Sequence, residues 1–581
     1  MTRSLWVSAV VGLFATAAAG AATPAREKLD RGLVARPVAG GKVYLSWRLL
    51  ADDPAETAFN VYRQSPGQPA AKLNQQPIAQ TTDFSDASPP AGVESKWEVR
   101  AVVGGKEGPA AVAAATPAEK PPAYIAIPLD GRHTFQKVGI ADLDGDGRYD
   151  FVVKQPNSNI DPYENYWKPS PGSYKLEAYR SDGKFLWRFD LGWAIEQGIW
   201  YSPYVVYDLD GDGRAEVAAK TGEGDPRGAD GRVASGPERL TILDGQTGRP
   251  VTQTDWPTRE GFGEGLRGYN YASRNQLCVA YLDGRSPSLI VNRGTYNLIK
   301  LVAYQLRGGK LVEQWRWDNA QAGKTWQGQG AHWMHAADVD GDGRDEIVLG
   351  SAVIDDDGKP LWTTGLGHPD HCYVGDLDPL RPGLEIYYGI EARQPKANGM
   401  CMVEAATGKV LWGLQRPTRH VHSAGLCSDI DPAHPGSECY SADTDEKKAF
   451  AFGVLHSAQG RIIAEENLGG FGPRVAYWDA DPQRELVQSG KVLKYKGETL
   501  TKIEGDYVAT ADVLGDWREE IITTVPGEMR IYVSTLPAAD RRPCLMQDPL
   551  YRMDVVVGAM GYYQAPMTSY DLATAKRPPA K

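Results

Sequence analysis

The sequence predicts an all-β protein with two parts: a fibronectin-III-like β-sandwich over residues 23–120 and an eight-bladed β-propeller over residues 121–581. Three observations predict this fold. An acidic loop motif recurs along the chain, pairs of short strands around a turn follow the copies, and the first hundred residues lack the motif. Repeats of this kind, with four short strands each, are typical of propeller blades.

The acidic motif is most complete in three copies, each reading Asp-x-Asp-Gly-Asp-Gly with an acid at the ninth position. Ca²⁺ prefers several hard oxygen ligands, and glycine lets a short backbone curl so that alternate side chains converge. A short apolar run typical of a buried strand follows each copy, unlike the helix of an EF-hand. The motif therefore predicts several bound Ca²⁺ ions. The candidate ligands are Asp142, Asp144, Asp146, Asp150, Asp208, Asp210, Asp212, Glu216, Asp338, Asp340, Asp342 and Glu346.

Five degenerate copies extend the pattern along the chain. Two of them keep acids that we also assign as calcium ligands, namely Asp376, Asp378, Glu385, Asp429, Asp431 and Glu438. The others begin at Tyr281, Asp479 and Asp512. The mean spacing of the eight copies is about 53 residues, which is the size of a propeller blade. Eight copies therefore predict eight blades.

A propeller ring must close, because otherwise its first and last blades expose unpaired strand edges. We expect the closing strands at Tyr124–Pro128 and 555–557, and the last hairpin at 530–545. No segment shows a helical period of useful length, so we expect no substantial helix.

The residues before position 120 differ from the rest of the chain. The segments 43–47, 58–63 and 96–102 alternate apolar and polar residues, and turns rich in Pro, Gly and Asp separate them. About a hundred residues of short strands around tryptophans are typical of a small β-sandwich. The Ala- and Pro-rich segment 113–122 is the predicted linker.

The first 22 residues predict the location of the protein. An arginine near the start, an apolar run and a small-residue end are typical of a secretory signal, cut here near Ala22. The apolar run is too short and too rich in alanine for a membrane anchor, and no other stretch predicts a span. We expect an exported, periplasmic or secreted monomer.

Composition narrows the class of partner. The net charge of −11 argues against nucleic acid. Six cysteines are few for 581 residues, so disulfides are not expected to hold the fold together. Cys427 and Cys439 flank one acidic loop and could form a disulfide after export, but two buried thiols agree equally well with the sequence.

Six of the nine histidines lie just before three consecutive copies of the acidic motif. They are His332, His335, His368, His371, His420 and His422. In a propeller, three neighbouring blades would gather them in one sector. Histidines satisfied inside the core are the usual alternative. Six in register favour an acid–base site or a transition-metal site.

Cations follow three acidic loops at a similar distance. They are Lys154, Lys220 and Arg293. Solvated strand ends are the alternative explanation. Three successive cations in an acidic protein favour a locally basic cleft, suited to a polyanion with spaced carboxylates.

Several motifs resemble those of a known family. They are GIADLDGDG, YDLDGDGRAEVAAKTGEGD, NRGTY, ADVDGDGRDEIVLGS, DLDPLRPGLEIYYGIE, ADVLGDWREEI and the ending LMQDPLYR…GYYQAPMTSY. The pattern is similar to polysaccharide lyase family eleven, the rhamnogalacturonan lyases, over nearly all of residues 30–572. The resemblance implies an N-terminal β-sandwich, an eight-bladed propeller, many calcium ions and cleavage of pectic rhamnogalacturonan-I by β-elimination. By motif match, Tyr562 falls on a substrate-contacting tyrosine, and Asn157 or Asn159 on an asparagine of the first-blade loop.

Two stretches depart from the pattern of that family. Where the family usually has Asn-Gly-Thr-Lys before the DVLGDW motif, residues 503–507 read Ile-Glu-Gly-Asp-Tyr. Where it usually has an arginine before the DIDP motif, residues 420–425 read His-Val-His-Ser-Ala-Gly. These differences leave the catalytic base and the exact polymer open.

Elimination from a uronate removes the proton on C5 and expels the oxygen on C4. The neighbouring carboxylate must be neutralised by a cation, and a base and an acid must move the protons. Lys154, Lys220 and Arg293 fit the neutralising and substrate-binding roles. A His or Lys fits the base, and a Tyr or His fits the acid. Among the histidines, the leading candidates are His332, His335, His368, His371 and His422.

Two other functions remain open from the residues alone. One is a non-catalytic, calcium-stabilised propeller that binds glycans, and the other is a glycoside hydrolase on the same fold. The clustered histidines favour an enzyme over a binding module. Only elimination creates a conjugated double bond that absorbs ultraviolet light, so this absorbance separates a lyase from the other two functions.

Overall fold

The computed structural model of the protein describes residues 26–469 and 473–575. The predicted signal segment 1–22 lies outside these residues. Within them the chain forms 39 strands and three α-helices, which confirms the all-β prediction. Every helix in the described ranges is too short or too polar to serve as a membrane span.

Two antiparallel sheets form the N-terminal part. Their strands are β1 (Val34–Val38), β2 (Lys42–Ser46), β3 (Ala58–Gln64), β4 (Ala71–Lys72), β5 (Asp83–Asp86), β6 (Ser95–Val103) and β7 (Lys106–Ala115). The strand orders are β1-β2-β5 and β4-β3-β6-β7. Val43 and Leu45 of the first sheet share one buried core with Phe59 and Trp97 of the second, because alternate residues of a strand point to the same face.

Eight four-stranded antiparallel sheets follow. Their strands are β8 (Tyr124–Pro128), β9 (Lys137–Ala141), β10 (Asp150–Gln155), β11 (Lys175–Tyr179), β12 (Phe185–Asp190), β13 (Tyr204–Tyr207), β14 (Glu216–Gly222), β15 (Glu238–Asp244), β16 (Pro250–Asp255), β17 (Asn275–Ala280), β18 (Ser288–Arg293), β19 (Lys300–Arg307), β20 (Lys310–Asp318), β21 (Gly330–Ala337), β22 (Glu346–Gly350), β23 (Ala352–Ile354), β24 (Pro360–Thr363), β25 (Pro369–Gly375), β26 (Glu385–Ile390), β27 (Met400–Glu404), β28 (Val410–Gly413), β29 (Val421–Ser428), β30 (Glu438–Thr444), β31 (Phe450–His456), β32 (Ile462–Glu465), β33 (Arg474–Ala476), β34 (Glu485–Gln488), β35 (Lys491–Leu493), β36 (Thr499–Lys502), β37 (Asp506–Ala511), β38 (Glu520–Val525) and β39 (Glu528–Tyr532). Seven sheets pair four consecutive strands in chain order, from β9–β12 to β33–β36. The eighth has the order β37-β38-β39-β8.

The first strands of the sheets face one another. Each of β9, β13, β17, β21 and β25 contacts the first strand of the next sheet, and β37 contacts both β33 and β9. The three helices are α1 (Gly265–Ala272), α2 (Asn319–Ala322) and α3 (Pro549–Val557). Helix α3 packs against β9, β13, β17 and β21, so the C-terminal part of the chain lies among the first strands.

The structure settles the predicted closing strands. Tyr124–Pro128 pairs with β39, as predicted. The prediction for 555–557 is wrong, because these residues end helix α3, whose N-terminus is capped by Asp548 and starts with Pro549. The hairpin predicted at 530–545 is also wrong, since β8 occupies the edge of β39 that a fourth consecutive strand would need. We expected no substantial helix, and the described residues contain two helices of 8 and 9 residues besides the four-residue α2.

The acidic loops occupy one equivalent place. In all eight sheets the loop lies between the first and second strands. The carboxylate at the ninth position accepts a hydrogen bond from the amide of the second loop residue, as in Glu216 from Leu209 at 2.9 Å and Glu346 from Val339 at 2.8 Å. This contact ties the start of the second strand to the loop.

All six cysteines are buried and free. The sulfur atoms of Cys427 and Cys439 lie 3.6 Å apart on paired strands. The structure thus contains the second of the two alternatives, a pair of buried thiols.

Candidate active site

A cavity of about 370 Å³ opens between the first strands of several sheets and residues 561–564. Lys137, His371, Arg474 and Tyr507 line it from four different sheets. Each stands five positions before the start of its acidic loop, so the same place in the repeat points to the same space. The volume falls within the range of about 300–1,000 Å³ that small-ligand sites have.

The residues assigned by family resemblance lie at this cavity. Asn157, Asn159 and Tyr562 all line it. Asn157 donates a hydrogen bond to Asp506 at 3.2 Å, and Asn159 accepts one from the Ile199 amide at 3.0 Å. These bonds hold the two asparagines in place on the long loop that follows β10.

Lys137 is a cavity residue whose basicity is altered by its surroundings. Its side chain is 8% exposed, and burial together with the charge of Arg474 lowers the pKa of its ammonium to about 7. Arg474 stacks over Tyr563 and Tyr507, at 4.6 and 5.4 Å from the ring centroids. The cavity thus holds an amine that is partly neutral near pH 7 beside a permanent cation.

A histidine–carboxylate cluster adjoins the cavity. It consists of an inner pair, His332 and His368, an outer pair, His420 and His422, and the carboxylates Asp370 and Glu391. The ligand atoms of the inner pair and the two carboxylates all lie within 4.8 Å of one another. Such a set of nitrogen and oxygen donors is suited to a divalent cation.

The cluster is electrostatically unusual. Burial alone would raise the pKa values of Asp370 and Glu391, but hydrogen bonds and charges of the surrounding histidines hold both below their usual range. Burial also lowers the pKa of His422, yet its hydrogen bond to Asp370 and the charge of that carboxylate raise it above the ordinary value. The two carboxylates therefore stay ionised and available as ligands.

His371 lies in the cavity wall. Its Nε2 is 2.8 Å from the Ser441 hydroxyl, and burial lowers the pKa of the ring to about 4. Gly389 and Gly425 leave the room for the ring, because a Cβ at either position would come within 2.3 Å of it. His371 is therefore a neutral side chain in a tightly fitted slot.

His335 has a different environment. Its two nitrogens lie 2.6 Å from Asp554 of helix α3 and 2.8 Å from the carbonyl oxygen of Cys372. Burial opposes protonation, but Asp554 raises the pKa of the ring to about 10. His335 is thus a charged, fully satisfied link between two sheets and the helix.

The predicted cations are also internal. Lys154 donates to the Ser202 carbonyl and lies near its hydroxyl, both at 3.0 Å. Lys220 and Arg293 both bind Glu238, at 2.7 and 2.6 Å. Of the described residues that line the cavity, none is His335, Lys154, Lys220 or Arg293. The predicted basic cleft therefore does not form from these three cations.

The acidic loops contain carboxylates that fit a cation. In three loops the ligand atoms lie within 4.8 Å of one another. Within the described chain, six buried oxygens of the loops have no hydrogen-bond partner: Asp144 Oδ1, Glu346 Oε1, Asp376 Oδ1, Asp429 Oδ1, Glu438 Oε1 and Asp512 Oδ1. Burial, with the neighbouring aspartates, raises the pKa values of Glu346 and Glu438 to about 9. A hard divalent cation would relieve this repulsion.

The seventh loop carries its own cation. The Lys494 ammonium lies 2.6 Å from Asp479 and 2.7 Å from Asp481, with Glu485 at 3.8 Å. Here a side chain occupies the place that the carboxylates of the other loops leave for an ion.

Comparison with known proteins identifies the family. The model of "Rhamnogalacturonan lyase family 11, C-terminal domain" matches residues 129–581, and that of "Rhamnogalacturonan I lyases beta-sheet domain" matches residues 24–116. The chain belongs to rhamnogalacturonan lyase family 11. The two matched segments agree closely with the two parts of the fold.

Relatives in this family resemble the chain along most of its length. It is 38% identical over 593 aligned residues to the rhamnogalacturonan endolyase YesW of Bacillus subtilis, covering 94% of this chain and 91% of the relative. It is 35% identical over 612 residues to the exolyase YesX of the same organism, covering 96% of each. The crystal structure of YesW matches with a TM-score of 0.85 at 36% identity, covering 95% of this chain and 97% of that one. A lyase of Bacillus licheniformis matches with 0.86 at 34%, covering 96% and 99%.

Sequence reasoning missed four site residues in this family member. Lys137 and Arg474 line the cavity, and Asp370 and Glu391 bind the histidines. A signal for the first two was present, because both stand five positions before an acidic loop, as His371 does. Asp370 adjoins His371 in sequence. Glu391, one residue beyond β26, had no comparable signal.

Proposed function

We propose that this protein is a rhamnogalacturonan lyase that cleaves its polymer by β-elimination in the cavity beside Lys137. The observation that carries the proposal is the combination, in one cavity, of an amine with a lowered pKa and an adjoining histidine–carboxylate cluster. Elimination needs a base and a neutralised carboxylate, and this cavity supplies candidates for both. Relatives named as an endolyase and an exolyase support the same reaction class.

The same proposal includes the arrangement of the sheets, the calcium sites, export and the oligomeric state. The eight sheets are the blades of one propeller, residues 121–581, and the two N-terminal sheets are a separate sandwich, residues 23–120. Contacts between neighbouring first strands, and between β37 and β9, support a closed ring. The acidic loops bind calcium, supported by their unpartnered buried oxygens. Residues 1–22 direct export, and the protein acts as a monomer.

Lys137 is the proposed base in this reaction. Burial and Arg474 leave its amine partly neutral near pH 7, so that it can accept the C5 proton of a uronate. The planar guanidinium of Arg474 matches the uronate carboxylate and keeps its charge at all working pH values. The two side chains therefore divide proton removal and charge neutralisation between them.

Tyr562 is the proposed acid. It lines the cavity, and burial raises the pKa of its hydroxyl well above the ordinary value, so the proton is retained until the C4 oxygen leaves. Asn157 and Asn159 orient the sugar from the opposite loop. A divalent cation held by the inner pair, Asp370 and Glu391 would add positive charge next to the substrate carboxylate.

The predicted catalytic roles of the histidines change in this proposal. The inner pair and His422 serve as ligands, and His371 shapes the wall. His335, Lys154, Lys220 and Arg293 hold the fold together through buried pairs. A role for these four in the reaction has no support from their positions.

Incubation with rhamnogalacturonan-I tests the function. The expected result is a steady rise in ultraviolet absorbance, because elimination leaves a conjugated double bond. New reducing ends without absorbance would instead identify a hydrolase, and binding without new ends would identify a glycan-binding propeller. A polygalacturonan without rhamnose serves as the control polymer.

A further inference from the structure

The two carboxylates of the histidine–carboxylate cluster each face two ways. Glu391 lies with one oxygen 3.1 Å from His368 and with the other 2.8 Å from His420. Asp370 lies with one oxygen 3.5 Å from His332 and with the other 3.4 Å from His422. Each carboxylate therefore offers one oxygen to the inner pair and the other oxygen to the outer pair. This is the arrangement of a carboxylate that bridges two metal ions.

The outer pair is held so that it can bind a cation. The Thr444 hydroxyl donates to the carbonyl oxygen of His420 at 3.0 Å, so at 3.3 Å it accepts from Nδ1–H of the same residue. His420 Nε2, on the other side of the ring, then lies 2.8 Å from Glu391 Oε1. A partner on the far nitrogen that fixes the ring in this way is characteristic of metal-binding histidines.

The inner pair shows the same feature. His368 donates from Nδ1 to the Gly330 carbonyl, and its Nε2 is on the side of Glu391. That nitrogen is buried and lies 3.1 Å from Glu391. A ring nitrogen and a carboxylate oxygen at this separation are positioned to share one divalent cation.

We propose that the outer pair, together with the second oxygens of Asp370 and Glu391, binds a second divalent cation of the transition-metal class. The two carboxylates then bridge a two-metal centre beside the cavity. The separations in the outer site, 2.8 to 3.8 Å, agree with the edges of a coordination shell with bonds of about 2.0–2.2 Å.

The chemistry of the donors distinguishes this centre from the acidic loops. Imidazole nitrogen favours Zn²⁺, Co²⁺ or Ni²⁺, whereas carboxylate-only loops favour Ca²⁺. The side chains of His420 and His422 are 23% and 31% exposed, so the outer ion keeps open positions toward solvent. Two divalent ions against two carboxylates leave a net positive charge for an acidic ligand.

Equilibrium dialysis of the full chain against Zn²⁺ in excess Ca²⁺ tests this proposal, because calcium fills the acidic loops. We expect His420→Ala/His422→Ala to bind one equivalent of zinc less than the wild type, with at least about a 100-fold loss of affinity at the outer site. His434→Ala, a histidine outside the cluster, should bind as the wild type does. His332→Ala/His368→Ala should retain the outer equivalent.

Equal zinc content in the wild type and the outer-pair variant would overturn the proposal, as would a wild type that binds no zinc in excess calcium. Melting curves establish that each variant is folded, and His420→Gln/His422→Gln replaces the alanine variant if that one is not. Zinc is measured without polymer, so the result is independent of the proposed lyase activity.

Discussion

Replacing Lys137 by arginine separates proton transfer from charge. Arginine keeps the positive charge and the approximate length of lysine, but it stays protonated at every working pH. Lys137 itself has a pKa of about 7, so roughly half of it is neutral at pH 7. If the amine takes the C5 proton, Lys137→Arg loses the base and makes the positive charge at this position permanent.

The expected loss of rate follows from the role of Lys137 as the general base. Removing a general base typically costs about 10²–10⁴-fold in rate, which corresponds to about 3–5 kcal/mol of transition-state stabilisation. In the wild type, kcat/KM should rise with pH through about 7, because deprotonation of Lys137 creates the active form. Lys137→Arg should lack this rise at every pH.

The assay is the initial rate of ultraviolet absorbance on rhamnogalacturonan-I between pH 5.5 and 9, with these limits chosen to span about two units around neutrality. Lys491→Arg, an exposed lysine at the start of β35, is the matched control and should keep wild-type rates. A Lys137→Arg variant with wild-type kcat and pH profile would refute the reasoning, because a permanent cation would then suffice.

Three further predictions concern stability. Chelation should lower the melting temperature, because Ca²⁺ stabilises the folded loops by mass action; an unchanged curve in excess chelator would remove the calcium assignment. Lys494→Met should lower the free energy of unfolding by about 1–3 kcal/mol in denaturant titrations. We expect a loss near the lower end of this range because the side chain is 35% exposed, and added calcium should restore part of the lost stability. No response to calcium would mean that the seventh loop cannot hold an ion. His335→Leu should cost about 3–5 kcal/mol, because Asp554 loses its buried partner. The stabilising contribution of His335 should be complete below pH 6.5, the ordinary pKa of histidine, and should disappear as the pH rises through about 10. If the difference in unfolding free energy between variant and wild type does not change with pH, the ion pair is contradicted.

The spacing of the acidic loops is visible in the sequence, and it predicts the positions of most strands in the fold. An acidic loop between two apolar runs has one place in a four-stranded sheet, so eight loops located eight strand pairs. The same register, applied to every residue type, also locates Lys137, Arg474 and Tyr507 beside His371. Restricting the comparison to histidines was the reason that these were missed.

The spacing of the acidic loops does not predict which side chains will pair in the folded protein. Lys220 and Arg293 stand at equal distances from their loops, yet their partner Glu238 begins a different strand, and no spacing rule indicates it. The apolar residues 555–557 fit a strand by composition. The Asp548-Pro549 cap was the local signal for a helix, and packing against four first strands stabilises it.

The strand pairing of β8 with β39 bears on how the molecule is made. Glu528 pairs with Pro128, so β8 waits for a strand that is synthesised some 400 positions later. Until the final strands emerge, β8 has no edge to join, and the nascent chain carries unpaired backbone at both extremities. Assembly of this sheet therefore cannot be completed before β39 is synthesised, and a chain truncated just before β39 would leave β8 without its partner.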